Sequence, residues 1–302
     1  MKITLTGSLG NISKPLTIEL IQKGHSVTVI SSKPERQKEI EALGAKAAIG
    51  TMEDADFLAS VFKGTDAVYM METAGAGSYF DKDFDIFKSF NKIANNYQQA
   101  ILQSGVKRVV LLSSIGAHTD NGNGILAIAF NAEQVLQQLP PDVSITILRP
   151  VGFYYNLLSF IPTIKSQGVI VSNYGGGNKK PWVSPLDIAT AIAEEITTPF
   201  SGRKVRYVAS EEISCNEIAS ILGAAIGKPD LKWVVIPDEQ MLNGMLAAGM
   251  NPQIAKGLVE MNASINTGEL YEDYYRNRPL LGKVKVKDYA KDFAAVYNQK
   301  PL

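Results

Sequence analysis

Two glycines, Gly7 and Gly10, stand in the stretch Thr6-Gly-Ser-Leu-Gly-Asn-Ile12, directly behind the apolar run Lys-Ile-Thr-Leu. A first glycine lets a chain turn tightly, and a second lets the backbone approach an anion with no side chain between. If a helix starts at once, its free N–H groups and positive dipole end aim at the same point. The chemistry is the cradling of a pyrophosphate, with Ser8, Leu9, Asn11 and Ile12 completing the turn. Where a third glycine is usual there is Ser13. As the smallest polar substitute it predicts looser helix–strand contact rather than loss of the site. A glycine pair also serves in ordinary turns; its place between a strand and a helix favours the nucleotide.

Roughly twenty residues past the glycines, a NAD site places an acid at the end of the second strand to take the ribose 2′-OH. Here that strand runs into Ile30-Ser-Ser-Lys-Pro-Glu-Arg36. No acid stands at its end. Ser31 and Ser32 offer hydroxyls, and Lys33 and Arg36 offer cations. Such a set suits a 2′-phosphate, which arginine grips with two parallel hydrogen bonds. The spacing therefore predicts NADP(H) over NAD(H), against the alternative of a solvated turn with routine surface charges.

Elements must bring these residues together. Strands are predicted at 2–6, 26–30, 46–50, 66–71, 108–114 and 144–150. Helices are predicted at 12–23, 36–43, from Asp54 or Asp56 to 63, at 84–104 and at 125–139, most of them closed by a glycine. This alternation gives a fold class of α/β, a Rossmann-type doubly wound parallel sheet with a smaller C-terminal α/β substrate lobe. Residues 1–150 form the expected NAD(P)-binding domain. Residues 151–302 form mainly a substrate-binding lobe, with 183–210 returning to the first sheet. In that second part the residues predict helices at 152–164 (ended near Pro162), 185–199, 216–226 and 238–248, a turn at 175–177, and a strand at 203–210.

The 302 residues are 45% apolar and 20% charged, with thirty bases against thirty acids. Balanced charge argues against direct nucleic-acid or anionic-membrane binding. No apolar run is long enough to span a membrane, and the N-terminus reads as a strand rather than a secretory leader. A cytoplasmic protein is expected. One cysteine, Cys215, excludes an internal disulfide, and with only two histidines no metal site is expected.

The chain resembles the NmrA-like branch of the atypical short-chain dehydrogenase/reductase superfamily. The resemblance rests on the glycine turn (6–12), SSKPER (31–36), GTMEDADFL (50–58), VVLLSSIGA (109–117), ILRPVGFYYN (147–156), VSPLDIATAIAEEI (183–196) and EEISCNEIASILGAAIGKP (211–229). That branch holds NADPH-dependent quinone and dye reductases and also redox-sensing regulators without activity. The resemblance implies that Thr51 and Met52 lie near the adenine, and that Met71, Glu72 and Thr73 line the cofactor cleft. It also implies that Ser113 and Ser114 sit beside the nicotinamide, and that Pro150, Val151, Gly152 and Phe153 pass over it. Full dehydrogenases carry Tyr-x-x-x-Lys on the helix after the fifth strand, the lysine lowering the tyrosine's pKa. Here the best register puts Ala127 at the tyrosine and Asn131, a cofactor-side candidate, at the lysine.

Hydride transfer without that relay suits an acceptor needing little proton chemistry, a quinone-like or other conjugated molecule. Ser114 is a candidate to hydrogen-bond such an acceptor, or only to cap its strand. Tyr154, beside Tyr155, is a candidate proton donor, or only pocket wall. His118 reads as a loop histidine and His25 as structural. Four methionines between Met241 and Met261 fill a core or line an adaptable apolar pocket. The alternative is a non-catalytic NADP(H) sensor acting through a protein partner.

Overall fold

The computed structural model describes residues 1–299. The chain alternates β1 (Lys2–Leu5), α1 (Ser13–Gln22), β2 (Ser26–Ser31), α2 (Gln37–Ala42), β3 (Lys46–Ile49), α3 (Ala55–Phe62), β4 (Ala67–Met70), α4 (Ile86–Ser104), β5 (Arg108–Leu112), α5 (Ala127–Gln137) and β6 (Ser144–Pro150). Helix ends follow local chemistry: the Asp54 carboxylate accepts the Phe57 N–H at 2.9 Å and starts α3. Gly105, left-handed at φ 74°, stops α4.

Beyond β6 come β7 (Gly152–Phe153), a 3-10 run over Tyr154–Phe160, α6 (Ile161–Gln167), β8 (Ile170–Ser172), β9 (Lys179–Val183), α7 (Pro185–Thr197), β10 (Arg203–Val208), β11 (Glu211–Ser214), α8 (Cys215–Ala225), β12 (Trp233–Val235), α9 (Asp238–Ala247), α10 (Pro252–Thr267), α11 (Glu272–Arg276) and α12 (Val286–Tyr297).

The main sheet has seven strands in the order β10-β6-β5-β4-β1-β2-β3, every pair parallel. Both faces are covered. Leu16, Leu20, Ile188 and Ile192 of α1 and α7 pack with Tyr69 and Leu148 on one face. Leu58, Tyr97 and Leu136 of α3, α4 and α5 pack with Met70, Val109 and Ile145 on the other. Strand order reverses between β1 and β4, and a crevice opens beyond their carboxyl ends, where such sheets bind ligands.

The C-terminal elements form two small sheets, β11-β9-β7 and β12-β8. Around them Trp182, Ile218, Leu222, Trp233 and Phe293 make a separate core. Pro162 stands in the first turn of α6 and so begins a helix where the spacing predicted an end. Its missing N–H costs nothing there. The preceding residues wind as a 3-10 run instead of an α-helix. α10 also begins on a proline, with the Asn251 side chain accepting the Gln253 and Ile254 N–H groups.

Candidate functional site

The glycine turn is fastened to its neighbours. Thr6 N–H donates to the Tyr69 carbonyl at 3.1 Å, and Met71 N–H donates to Thr6 Oγ1 at 2.9 Å. Gly7 is left-handed, φ 87°. A Cβ there would lie 2.8 Å from Ser13 Oγ and 3.0 Å from Met71 Cγ, so only glycine fits. Ser8 is also left-handed, φ 54°, alone among the described non-glycine residues. Its N–H donates to the Ile30 carbonyl at 3.0 Å and its hydroxyl to Ser31 Oγ at 2.9 Å. Such strain is held only when the surroundings fix it, and it marks functional turns.

Ser13 answers for its missing glycine. It is buried, and its hydroxyl donates back to the Thr6 carbonyl at 2.9 Å. The serine thereby ties α1 to β1 while keeping close contact. α1 starts there with no side chain capping it and no acid in its first turn. Lys14 N–H is taken by the Gly10 carbonyl at 3.0 Å and Pro15 has none, so it is the unbonded N–H groups of Asn11, Ile12 and Ser13 that are left for an anion.

A cavity of about 680 Å³ opens over this turn. Gly7, Ser8, Gly10, Asn11 and Ile12 form its floor, while Leu9 is turned into the core. Ser31, Ser32 and Lys33 line one end together with Thr51 and Met52. Among the described residues Lys33 has no ion pair. Arg36 does not line the cavity; its guanidinium pairs with Glu39 at 3.2 Å. Met71 and Thr73 line the wall beyond β4. Glu72 between them does not: its carboxyl is turned inward, Oε1 has no hydrogen-bond partner, and burial pushes its pKa up to about 8. A glycine cradle, unbonded N–H groups at the helix start and a strand end carrying Ser31, Ser32 and Lys33 fit a dinucleotide.

A second cavity of about 270 Å³ meets the first at Phe153 and Asn156, which line both. Ser114, Val151 and Gly152 belong to it. Tyr174, Trp182 and Tyr271 supply aromatic walls, with Lys180, Cys215 and Met261 between them. Of the four methionines from Met241 to Met261, Met261 alone lines it.

Other expected residues lie elsewhere. Ser113 lines neither cavity; its hydroxyl donates to the Glu133 carboxylate. Glu133 also takes two hydrogen bonds from Arg149, at 2.9 and 2.6 Å, and Arg149 reaches Asp273 at 3.1 Å. This buried network fixes the β5 loop against α5, β6 and α11. Pro150 lines neither cavity, but its carbonyl accepts the Ile115 N–H at 2.9 Å and holds the same loop. Ala127 and Asn131 on α5 reach neither cavity.

Tyr154 is turned away from both. It is fully buried, stacked on Tyr289 with ring centroids 5.6 Å apart, and its hydroxyl donates to Glu211 at 3.2 Å. Burial, and then the Glu211 charge, hold its pKa above the ordinary tyrosine range. Tyr155 lines the larger cavity instead. The sequence motifs also passed over Asn156 and Pro185, although both stand inside motifs already singled out. Tyr174, Lys180, Trp182 and Tyr271 carried no local pattern. His118 is half-buried, and burial lowers its pKa.

Residues 7–199 match a protein family described as NAD(P)H-binding. The chain is 24% identical over 262 residues to an NAD(P)H azoreductase of Xenophilus azovorans, covering 86% of each protein. In structure it is similar to an NADPH-dependent quinone oxidoreductase of Escherichia coli complexed with NADPH (TM-score 0.77, 19% identity, 96% of this chain and 99% of that one). It is also similar to the triphenylmethane reductase of a Citrobacter species (TM-score 0.77, 18% identity, 98% of this chain and 100% of that one). These structural likenesses establish the fold.

Proposed function

Because the chain belongs to this NAD(P)H-binding family, we propose that it is a reductase, passing hydride from NADPH to a quinone-like or other conjugated acceptor without a tyrosine–lysine proton relay. The observation that carries this reading is the second cavity. It is largely walled by apolar and aromatic side chains and shares Phe153 and Asn156 with the cavity over the glycine turn. A protein that only sensed the cofactor would have no need of such a chamber. The named relatives are reductases of azo compounds, quinones and triphenylmethane dyes, all of them conjugated molecules.

Reduced nicotinamide supplies the hydride when bound; the rest is done by the chain. Gly7 to Ile12 and the open end of α1 bind the pyrophosphate. Ser32 and Lys33 meet the 2′-phosphate and set the preference for NADP(H). Phe153 and Asn156, at the joint between the cavities, orient the reacting groups, and Trp182, Tyr174 and Tyr271 exclude water and stack on a planar acceptor. Ser114 offers a hydroxyl to the acceptor. In the register taken from the sequence the relay positions fall on Ala127 and Asn131, which lack acid–base chemistry and reach neither cavity, so acceptors that need only mild protonation are favoured.

The test is stopped-flow absorbance of the reduced nicotinamide, with NADPH and a panel of quinones, azo compounds and dyes. Acceptor-dependent oxidation above the enzyme-free rate is expected. Tight NADPH binding with no oxidation for any acceptor would overturn the reductase reading and point to a sensor.

A further inference from the structure

The acceptor cavity holds a lysine whose charge nothing in its walls neutralises. Lys180 lies on β9, opposite Ile213 of β11, and its Nζ sits 5.3 Å from the centroid of the Tyr271 ring. Among the described residues its ammonium makes no hydrogen bond and no ion pair. The other titratable groups lining the cavity are Tyr174, Cys215 and Tyr271, and no carboxylate lines it. Burial keeps all three protonated; the Cys215 thiol is pushed up to about 12. The same burial lowers the Lys180 pKa, which makes its proton easier to give. An ammonium over the single aromatic face of Tyr271 and facing a largely apolar chamber is a cation awaiting an anion.

We infer that the cavity takes planar conjugated acceptors whose oxygen is anionic or becomes anionic on reduction, with the Lys180 ammonium as its charge partner and proton donor. This rests on the reductase reading above. In the step, the C–H bond of reduced nicotinamide breaks and its hydride adds to the acceptor, so the cofactor is oxidised and the acceptor reduced. The electron pair displaced within the acceptor collects on its oxygen. An N–H bond of Lys180 breaks, an O–H bond forms there, and the neutral amine regains a proton from water. A cationic acceptor needs no such proton and is repelled by the same charge.

Titration calorimetry on the full chain with NADP+ bound separates these cases. The probes are a hydroxynaphthoquinone (anionic at neutral pH), a neutral methylnaphthoquinone and a cationic triphenylmethane dye. Lys180→Met should weaken the anionic quinone by about tenfold or more, the neutral one by about twofold or less, and leave the dye equal or tighter. Lys180→Arg should restore most of the anion affinity. Lys180→Gln serves if the methionine variant does not fold, and an unchanged NADP+ affinity certifies the cofactor site. With turnover, quinone kcat should fall in Lys180→Met while dye reduction holds. Equal losses for all three probes, or none, would overturn the assignment. Wild-type protein that binds the anionic quinone through Lys180 yet oxidises no NADPH would overturn the reductase reading and leave the binding assignment standing.

Discussion

Glu72 gives the sharpest test of the site's electrostatics. It follows β4 at the lip of the cofactor crevice, its Oε1 is buried without a partner, and burial raises its carboxyl to about 8 from an ordinary 4.5. A raised carboxyl pKa is neutral to stability below about pH 4.5, where folded and unfolded chains are both protonated. Between pH 4.5 and about 8 only the unfolded chain ionises, and stability drains away. Above about 8 both ionise and the penalty is constant. At about 1.36 kcal/mol per pH unit this reaches at most about 5 kcal/mol. The side chain keeps some contact with water, so about 2–4 kcal/mol is expected after screening. Glu72→Gln removes the ionisation and keeps the shape; the amide's own lack of partners costs the same at every pH. Urea unfolding of both proteins from pH 4 to 9 gives the difference in stability. It should rise in the variant's favour from about pH 4.5 and level off above about 8. Parallel curves across that range would refute the argument, because the carboxyl would then titrate alike in the folded and unfolded chains.

Gly7→Ala puts a Cβ 2.8 Å from Ser13 Oγ on a left-handed residue. It should weaken NADP+ more than about tenfold and cost about 1–3 kcal/mol, by calorimetry and thermal unfolding. Lys33→Ala should weaken NADP+ by about tenfold and NAD+ little. Arg36→Ala should do less, because Arg36 is already paired with Glu39 outside the cavity; the reverse order, read by calorimetry, would place the 2′-phosphate elsewhere. Glu133→Gln removes the charge of one of the two carboxylates paired with the buried Arg149 guanidinium and should cost about 3–5 kcal/mol in urea unfolding. A loss under about 1 kcal/mol would mean the network does not hold the β5 loop.

Legibility in the sequence followed the range of the interactions. A phosphate cradle is made by backbone geometry over consecutive residues, so Gly7 to Ile12 and the end of β2, which do line one cavity, could be singled out by spacing alone. The parallel strands also announced themselves, because a sheet covered on both faces needs unbroken apolar runs such as Val109–Leu112. Ser13 looked like a defect only because its hydrogen bond to the Thr6 carbonyl is a fact of folding. The acceptor cavity was hidden for the opposite reason. Its walls come from Ser114, Lys180, Trp182, Met261 and Tyr271, which no periodicity links. Even the strand carrying Lys180 is disguised by Pro181, which argues against a central strand. It is tolerated because β7 joins β9 only from Trp182 onward.

The two adjacent tyrosines show where reading by residue type stops. Tyr154 and Tyr155 share a side-chain chemistry and a motif, and nothing in their order says which faces the crevice. The choice is made by the pairing of Gly152 with Trp182 and Phe153 with Val183, and by the 3-10 turn that follows. Together they send Tyr154 against Tyr289 and leave Tyr155 at the cavity. The same pairing sets Phe153 at the joint of the two cavities, beside the strand that carries Lys180. A two-residue strand thus decides three things at once: which tyrosine is core, where the two cavities meet, and which strand walls the smaller one. The lining of the cavity over the glycine turn is largely written locally, whereas that of the smaller cavity depends on a register that only the folded chain possesses.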